Sequence, residues 1–237
     1  MKRTLIPEKL VLFDIDGTLL RTGGAGMGAI RSALITTYGT AGSIDNYLGG
    51  GRNYWQIATD VLAEYGISQT TLASRWDEFN AEVEAEFMKR LANGDHRIAA
   101  LPGGRELVKR LSRHPQVLLG LVTGNPAPVA AIKLTAAGYE PADFKVGAYG
   151  NEANQRELLV ELARQRAYEL TGTRFRGKST VIVGDTVHDI ACARASAANC
   201  VIVPTGDSSL ADLESLAPNH LFADLLQTDE VVKAILR

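Results

Sequence analysis

The stretch LVLFDIDGT, residues 10–18, runs from four apolar residues into the alternation Asp14, Ile15, Asp16 and then a glycine. A short apolar run of this kind is typical of a strand that is buried on both faces of a parallel sheet. Because successive side chains of an extended chain alternate, the two aspartates can point to the same side. We therefore expect a buried strand that carries two carboxylates at its carboxyl end.

The second half of the chain contains more segments of this type. From Leu101 onward, strand-like and helix-like segments alternate. The strand-like segments are VLLGLVT (117–123), FKVGAYG (144–150), TVIVGDT (180–186) and CVIVP (200–204). Such alternation predicts βαβ units around a mostly parallel sheet that helices cover on both faces. The expected fold class is α/β, with a doubly wound, Rossmann-like parallel sheet as the core.

Residues 23–94 have a different hydrophobic periodicity, with helical patterns and no convincing strand. The pattern over residues 70–94 is charged on one side and carries large apolar residues at spacings of three and four, namely Trp76, Phe79, Val83 and Phe87. We interpret these side chains as core packing rather than as a ligand platform. The predicted domains are a Rossmann-like core, residues 1–21 and 98–237, and an inserted helical domain, residues 22–97.

Composition places the chain among ordinary globular proteins, with 46% hydrophobic and 22% charged residues. The net charge of −2 gives no basic footprint for nucleic acid. No apolar run approaches the ~20 residues that span a bilayer, and the amino-terminal segment, broken by Pro7, does not resemble a signal peptide. Cys192 and Cys200 are interpreted as small buried residues in a reducing compartment, so a cytoplasmic location is expected.

Two glycine-rich stretches match nucleotide-binding patterns by letter but lie in the wrong context. GTRFRGKS, residues 172–179, fits the P-loop pattern, yet a helix-like segment precedes it and a strand-like segment follows, which is the reverse of a P-loop. GAGMGA, residues 24–29, fits the dinucleotide pattern but does not directly follow a strand. We interpret the first as a surface turn and the second as a hinge that opens into a helix.

Further polar residues follow the predicted strands. Thr123 ends the segment 117–123, and Asp185 ends the segment 180–185, with Asp189 one helical turn later. In an open parallel sheet the carboxyl ends of the strands form the ligand crevice. Carboxylates gathered there would repel one another unless a cation joined them, and an oxygen-only cluster favours a hard ion such as Mg²⁺, with Mn²⁺ an open alternative.

These motifs carry a family resemblance. DIDGT, LVTGN and GDTVHD, in this order, resemble the haloacid dehalogenase-like superfamily of phosphohydrolases. The helical block between the first two motifs is similar to the mobile cap domain of many members. The phrases LLRTGGAGMGAI and FKVGAYGNEANQREL look like the phosphoglycolate phosphatase-like branch.

The resemblance implies a role for each motif residue. Asp14 would be the nucleophile that forms an aspartyl-phosphate, and Asp16 would exchange protons with the leaving group and with water. Asp14, Asp185 and the backbone carbonyl of Asp16 would hold Mg²⁺, with Asp189 orienting its surroundings. Dehalogenases of this superfamily lack the second aspartate, so Asp16 points to phosphate esters.

The second motif would bind the phosphoryl group through the Thr123 hydroxyl, with Gly124 and Asn125 as further substrate-binding residues. The resembled family also places a cation between the second and third motifs, usually a lysine followed by proline, and no such dipeptide occurs here. Arg156, at a predicted helix start, is the preferred candidate, and Lys145 and Lys133 remain alternatives.

Substrate choice would come from the inserted domain. LGGGRNYW, residues 48–55, is a glycine-rich loop that places Arg52 at a helix start. Arg52 could hold a carboxylate or second phosphate of the substrate, or it could be a solvated residue beside a helix cap.

The function expected from these observations is Mg²⁺-dependent hydrolysis of a small phosphomonoester, with 2-phosphoglycolate as the leading candidate. The partner would thus be a small phosphorylated metabolite, without nucleic acid or membrane. A phosphomutase would use the same two aspartates and is the first alternative. A non-catalytic binding or regulatory protein on this scaffold is the second.

Overall fold

The computed structural model describes residues 6–47, 50–94 and 96–237. Within these ranges the main sheet has six strands, all parallel. The strands of the chain are β1 (Lys9–Phe13), β2 (Leu20–Arg21), β3 (Ala99–Ala100), β4 (Val117–Thr123), β5 (Val146–Tyr149), β6 (Thr180–Gly184), β7 (Asn199–Ile202) and β8 (His220–Leu221). The order in the main sheet is β5-β4-β1-β6-β7-β8, while β2 and β3 form a separate antiparallel pair. The expected doubly wound α/β fold is confirmed.

The central strand β1 is buried on both faces, as its sequence predicts. Val11 and Phe13 pack into one hydrophobic cluster, whereas Leu10 and Leu12 pack into another. This separation follows from the alternation of side chains along a strand. The two clusters lie on opposite faces of the sheet, so both faces of β1 contribute to the core.

Helices cover both faces of the sheet. Their bounds are α1 (Ala25–Tyr38), α2 (Tyr54–Leu62), α3 (Gln69–Ser74), α4 (Trp76–Ala92), α5 (Gly104–Ser112), α6 (Ala127–Ala136), α7 (Glu157–Thr171), α8 (Val187–Ala195), α9 (Leu210–Ser215) and α10 (Thr228–Leu236). Residues of α5, α6 and α10 belong to the cluster on one face. Residues of α7, α8 and α9 belong to the cluster on the other face.

The helices α1 to α4, here called the helical insertion, have a hydrophobic cluster of their own. Helix α1 runs antiparallel to α4, since Gly28 lies against Arg90 and Tyr38 lies against Phe79. Phe79, Val83 and Phe87 are buried in this cluster, as the helical spacing predicts. Val129 of α6 joins it too, so the insertion packs directly on the sheet domain.

One helix prediction in the insertion is wrong. The sequence over residues 70–94 reads as a single helix, but the structure breaks it at Arg75, whose φ and ψ are −118° and 17°. The Arg75 guanidinium pairs with Glu78 and lies 6.0 Å from the centre of the Tyr38 ring. The break therefore turns a charged residue onto the surface of the insertion.

The structure shows a turn at the first glycine-rich stretch and the start of a helix at the second, as their contexts predict. Gly172 ends α7 in the left-handed region with φ of 71°, and the turn Gly177–Ser179 leads into β6. Gly24 stands at the start of α1 with φ of 92°, after the short strand β2 rather than after a strand of the main sheet. Within the described ranges, no helix is long and apolar enough to cross a bilayer.

Candidate active site

Three neighbouring strands of the main sheet end together. Phe13 of β1 is level with Leu121 of β4 and with Val183 of β6, and the backbone N–H of Asp14 donates to the carbonyl of Val183 at 2.9 Å. The residues that follow these positions in each strand therefore meet at one edge. As a result, the polar ends of β1, β4 and β6 share the carboxyl edge of the sheet, as the sequence predicts.

Three buried carboxylates form a cluster at this edge. Asp14, Asp185 and Asp189 each offer one oxygen, and these oxygens lie within 4.8 Å of one another. Arg156 is the cation that contacts the cluster in the described part of the chain. Three negative charges beside a single positive charge leave a net deficit of positive charge in a buried site.

Arg156 begins the turn that leads into α7 and is 3% exposed. Its Nη2 lies 3.0 Å from Asp14 Oδ2 and donates to Asp189 Oδ1 at 2.7 Å. Nη1 donates to the backbone carbonyl of Gly51 in the insertion. Burial opposes its charge, but Asp14 and Asp189 outweigh burial and hold the pKa of Arg156 well above its ordinary value. Among the described residues, Nε has no hydrogen-bond partner.

The pKa values of Asp14 and Asp185 are raised, mainly by burial. Burial raises the pKa of Asp14 to about 6, although Arg156 acts in the opposite direction. Burial, and then the charges of Asp189 and Asp14, hold the pKa of Asp185 well above its ordinary range. A cation of higher charge would relieve this repulsion. The oxygen-only donor set therefore fits a hard divalent ion such as Mg²⁺.

Asp189 is fixed by the start of α8. Its Oδ2 accepts from the backbone N–H of Thr186 at 3.0 Å and from the Thr186 hydroxyl at 2.7 Å, while the Thr186 hydroxyl accepts from the backbone of Asp189. This reciprocal capping box is a common way to begin a helix. Oδ1 of Asp189 remains directed at Arg156. The same side chain thus begins the helix and fixes the cation.

Asp185 is held from the other side by the DIDGT segment. The hydroxyl of Thr18 donates to Asp185 Oδ1 at 2.5 Å. Gly17 has φ of 82°, and a Cβ at this position would lie 2.3 Å from Asp185 Oδ2. The glycine after the second aspartate is thus required twice, by backbone conformation and by the close approach of Asp185.

Asp16 lies beside the buried cluster in a different environment. Its side chain is 41% exposed and accepts two hydrogen bonds from the Lys133 ammonium, at 2.8 Å to Oδ1 and 2.7 Å to Oδ2. The Asn125 amide donates to Asp16 Oδ2 at 2.7 Å. Lys133, named above as an alternative phosphoryl-binding cation, therefore binds the Asp16 carboxylate. The structure places Arg156, not Lys133, beside Asp14.

Thr123 and its neighbours form the other wall. The Thr123 hydroxyl oxygen accepts from Asn125 Nδ2 at 2.8 Å and from the Asn125 backbone N–H at 3.3 Å, which leaves the hydroxyl hydrogen for donation elsewhere. Gly124 is packed against the insertion, since a Cβ there would lie 2.4 Å from the carbonyl oxygen of Arg52. Hence the second motif lies directly under the loop of the insertion.

The remaining sequence-predicted cations lie elsewhere. Lys145 precedes β5, at the amino edge of the sheet, and its ammonium donates to the Ala142 carbonyl at 2.7 Å. It is therefore wrong as a phosphoryl-binding candidate, because the carboxylates lie at the opposite edge. The Arg52 guanidinium pairs with Asp60 at 2.8 Å within the insertion. Leu48 and Gly49, at the start of the glycine-rich loop, lie outside the described residues.

Two further residues of this site, Thr18 and Tyr54, are not among those predicted from the sequence. Thr18 is the last residue of the DIDGT motif and could have been found there. Tyr54 is the first residue of α2, and its hydroxyl donates to Asn125 Oδ1 at 3.2 Å. Burial raises the pKa of Tyr54, so the hydroxyl stays protonated and able to donate. Only the packing of the insertion on the sheet brings it there, and no local pattern signals that.

Solved structures share this architecture at low sequence identity. A hydrolase from Pseudomonas syringae is 17% identical, with a TM-score of 0.70 over 95% of this chain and 97% of that chain. A predicted phosphatase from Clostridium acetobutylicum is 19% identical, with a TM-score of 0.69 over 96% and 98% of the two chains. A predicted phosphoglycolate phosphatase from Haemophilus somnus is 20% identical, with a TM-score of 0.67 over 94% and 97%.

A search of curated proteins found no match to the sequence. The family sequence model of haloacid dehalogenase-like hydrolases, by contrast, matches residues 11–194. This span includes the last three residues of β1, all of β4 and β6, and all four aspartates at or beside the ends of β1 and β6. The protein therefore belongs to the haloacid dehalogenase-like hydrolase family.

Proposed function

We propose that this hydrolase is a Mg²⁺-dependent phosphatase that acts on a small phosphorylated metabolite by way of an aspartyl-phosphate on Asp14. The contrast between Asp14 and Asp16 carries the proposal. Asp14 is buried in contact with Arg156, whereas Asp16 is partly exposed and paired with Lys133. Two carboxylates in such different surroundings suit different tasks, one as nucleophile and one as the group that exchanges protons.

The groups around Asp14 can receive a phosphoryl group. Arg156 has an unpartnered, buried Nε among the described residues, and a guanidinium suits bidentate contact with phosphoryl oxygens. The Thr123 hydroxyl retains its hydrogen for donation. Donors that are held in place before the reaction stabilise the charge that spreads over the phosphoryl oxygens in the transition state.

The reaction would proceed in two halves. A carboxylate oxygen of Asp14 attacks phosphorus, the bond from phosphorus to the leaving oxygen breaks, and that oxygen takes the proton of the Asp16 carboxyl to give the alcohol. A water molecule then attacks phosphorus and transfers a proton to Asp16. The bond between phosphorus and Asp14 breaks, which releases inorganic phosphate and restores both side chains.

The carboxylate cluster would hold the metal ion. Asp14 and Asp185, with the backbone carbonyl of Asp16, would be the ligands. Asp189 would orient the surroundings of the ion through its hydrogen bond to Arg156. When bound, Mg²⁺ would offset negative charge on the phosphoryl oxygens. The raised pKa values of Asp14 and Asp185 support this assignment, because burial and the neighbouring carboxylates disfavour negative charge that a bound cation would offset.

The helical insertion would act as a cap domain, residues 22–97, that closes over the substrate. Its loop supports this role, since the Gly51 carbonyl accepts from Arg156 and the Asn53 amide donates to the carbonyl of Ala153 at 2.8 Å. Arg52 would bind a second anionic group of the substrate. Because 2-phosphoglycolate carries a carboxylate besides its phosphate, it is the leading candidate. The buried cysteines, both free thiols, suit the cytoplasmic location that we propose.

The test is phosphate release from a panel of phosphomonoesters in Mg²⁺ and in EDTA. The panel contains 2-phosphoglycolate, sugar phosphates and a sugar bisphosphate, nucleoside monophosphates, pyridoxal phosphate and 4-nitrophenyl phosphate. Asp14→Asn is run beside the wild type, with Asp77→Asn, an exposed position on the insertion, as the matched control. We expect release that needs Mg²⁺ and Asp14 and that is unchanged in the control.

Other results have definite meanings. Release that persists in Asp14→Asn would overturn the assignment of the nucleophile. Conversion of the sugar bisphosphate without phosphate release would instead indicate a phosphomutase. If no compound of the panel is turned over, the proposed phosphatase activity is contradicted.

A further inference from the structure

We propose that Lys133 is a positioning residue that holds the Asp16 carboxyl in place for proton exchange with the leaving group. This inference rests on the proposed function. Lys133 lies on α6 and is 2% exposed, although lysine is among the residues least often fully buried. A buried ammonium is tolerated only where its charge and its donors are matched. The partners of Lys133 therefore indicate why it is there.

Three acceptor atoms lie within 2.8 Å of the Lys133 ammonium. Two are the carboxylate oxygens of Asp16, and the third is Asn125 Oδ1 at 2.7 Å. These contacts direct the ammonium to Asp16 and Asn125 and not to the place beside Asp14, which Arg156 occupies. Arg156 differs, because its Nε has no partner in the described ranges. The two buried cations thus have different roles. Arg156 contacts the proposed nucleophile Asp14, whereas Lys133 contacts Asp16, the carboxyl that would exchange protons.

The contact of Lys133 also fixes the orientation of Asn125. An ammonium can only donate, and the Tyr54 hydroxyl donates as well, so the atom that receives both must be the amide oxygen. The amide nitrogen must then face Asp16 and Thr123, to which it donates at 2.7 Å and 2.8 Å. Asp16 Oδ2 is therefore held by Lys133 and by an amide that Lys133 itself orients.

The insertion encloses this network. Lys133 Nζ lies 5.5 Å from the centre of the Phe87 ring, within the range of a cation–π contact. A Cβ at Gly26 would lie 3.4 Å from Nζ, so the glycine leaves room for the ammonium. Lys133 lies on the helix face that also buries Val129 and Leu134. The lysine is thus enclosed by neighbouring groups that limit where its ammonium can lie, as positioning requires.

The chemical consequence concerns one step. Breakage of the bond from phosphorus to an alkoxide needs a proton from Asp16, and a carboxyl that can rotate supplies this proton less effectively. A 4-nitrophenolate leaves without a proton, so its departure does not depend on Asp16. If Lys133 acts through Asp16, its loss must slow the alkyl substrate far more than the nitrophenyl substrate.

The experiment compares kcat/KM for 4-nitrophenyl phosphate and for the alkyl phosphate that the wild type hydrolyses fastest. This ratio reports the steps up to phosphoryl transfer to Asp14. The variants are Lys133→Met, which keeps the length of the side chain, and Asp16→Asn as the benchmark. Lys145→Met, an exposed lysine at the opposite edge, is the matched control. Thermal unfolding checks that each variant is folded.

For Lys133→Met we expect kcat/KM to fall about 10²-fold for the alkyl phosphate and less than about 5-fold for 4-nitrophenyl phosphate, following Asp16→Asn. An equal loss on both substrates would overturn the inference, since Lys133 would then act on the phosphoryl group or on the fold. If Lys133→Met does not fold, Asn125→Ala is measured in its place, because Asn125 also holds Asp16. An equal fall in kcat/KM of Asn125→Ala on the two substrates would then overturn the inference. Wild-type protein inactive on both substrates would remove the proposed function, and this inference with it.

Discussion

Arg156 joins Asp14 to Asp189 through a single nitrogen, Nη2, which lies 3.0 Å from one carboxylate and 2.7 Å from the other. Asp14 follows β1 and Asp189 lies in the first turn of α8. The guanidinium therefore ties the end of the central strand to the start of a helix on one face of the sheet. A third contact, to the Gly51 carbonyl, ties both to the insertion.

Removal of the Arg156 charge should destabilise the protein. Arg156→Met leaves Asp14 and Asp189 buried without their cation, and breakage of a buried pair in this way typically costs about 3–5 kcal/mol. We expect this loss in the free energy of unfolding, measured with urea in EDTA at neutral pH. Arg31, whose partner Asp45 is exposed, gives the control, and Arg31→Met should unfold near the wild-type midpoint. Equal midpoints for both variants would contradict the role of Arg156.

Magnesium should stabilise the protein through Asp185. Free Mg²⁺ at 100 times its Kd would add about 2.7 kcal/mol to the free energy of unfolding, which a thermal unfolding series would detect. Asp185→Asn should abolish this increase. Since the folded-state pKa of Asp185 is raised, its ionised form costs stability as the pH rises, so the metal-free variant should be no less stable than wild type at pH 7. A full magnesium effect in the variant would refute the assignment.

Gly124→Ala should separate the insertion from the sheet edge. The added Cβ would lie 2.4 Å from the Arg52 carbonyl oxygen and 3.1 Å from Asn53 Cα, so the insertion loop must move. We expect kcat/KM to fall about 10²-fold, as misplacements near 1 Å can do. Gly39→Ala is the control, because nothing lies within 4 Å of its Cβ although φ is 80°. It should cost about 1–2 kcal/mol of stability and leave kcat/KM unchanged.

Arg52 should decide between substrates with and without a second anion. A hydrogen bond to a charged group contributes about 1.5–3 kcal/mol, so Arg52→Ala should lower kcat/KM for 2-phosphoglycolate about 10- to 100-fold relative to an alkyl phosphate whose alkyl group carries no charge. Asp60→Asn, which releases the guanidinium from its present partner, should keep the preference. An unchanged preference in Arg52→Ala would remove the anion-reading role.

The two cysteines should be inert in the folded protein. Burial raises the pKa of Cys192 to about 12 and also raises the pKa of Cys200, so both thiols stay neutral at pH 8. We expect no reaction with Ellman's reagent until urea unfolds the chain. Because the thiol pKa values are higher in the folded protein, stability should fall as the pH rises above about 8.5. Rapid labelling of the native protein would contradict the burial of these side chains.

The strand-end aspartates could be predicted because their signal is local. Apolar runs that end in Asp14 and Asp185 identify both the strands and the edge at which their carboxylates meet. Arg156 could also be predicted from the sequence, because it is a basic residue at a helix start between the second and third motifs. Its contact with Asp14 and Asp189 needed the structure, because three separate elements supply the three side chains.

Lys133 shows where sequence reasoning stops. The sequence suggests Lys133 only as an alternative phosphoryl-binding cation, yet in the structure it shares a buried helix face with Val129, Ala130 and Leu134. A lysine on an apolar helix face is a signal for a buried partner, and this signal was readable in the sequence. The identity of the partner was not, since Asp16 and Lys133 meet only when the sheet forms. The break at Arg75 had no signal at all, because no glycine or proline marks it.

The central position of β1 has a consequence for the nascent chain. β1 is synthesised before both of its partners, β4 and β6, and β6 begins only at Thr180. Until then, a strand that is apolar on both faces has an open edge, the kind of segment on which aggregation and chaperone binding act. The Asp14 carboxylate meets Asp185 and Asp189 only after α8 has been synthesised. The site therefore cannot form until residues far downstream of its proposed nucleophile have been synthesised.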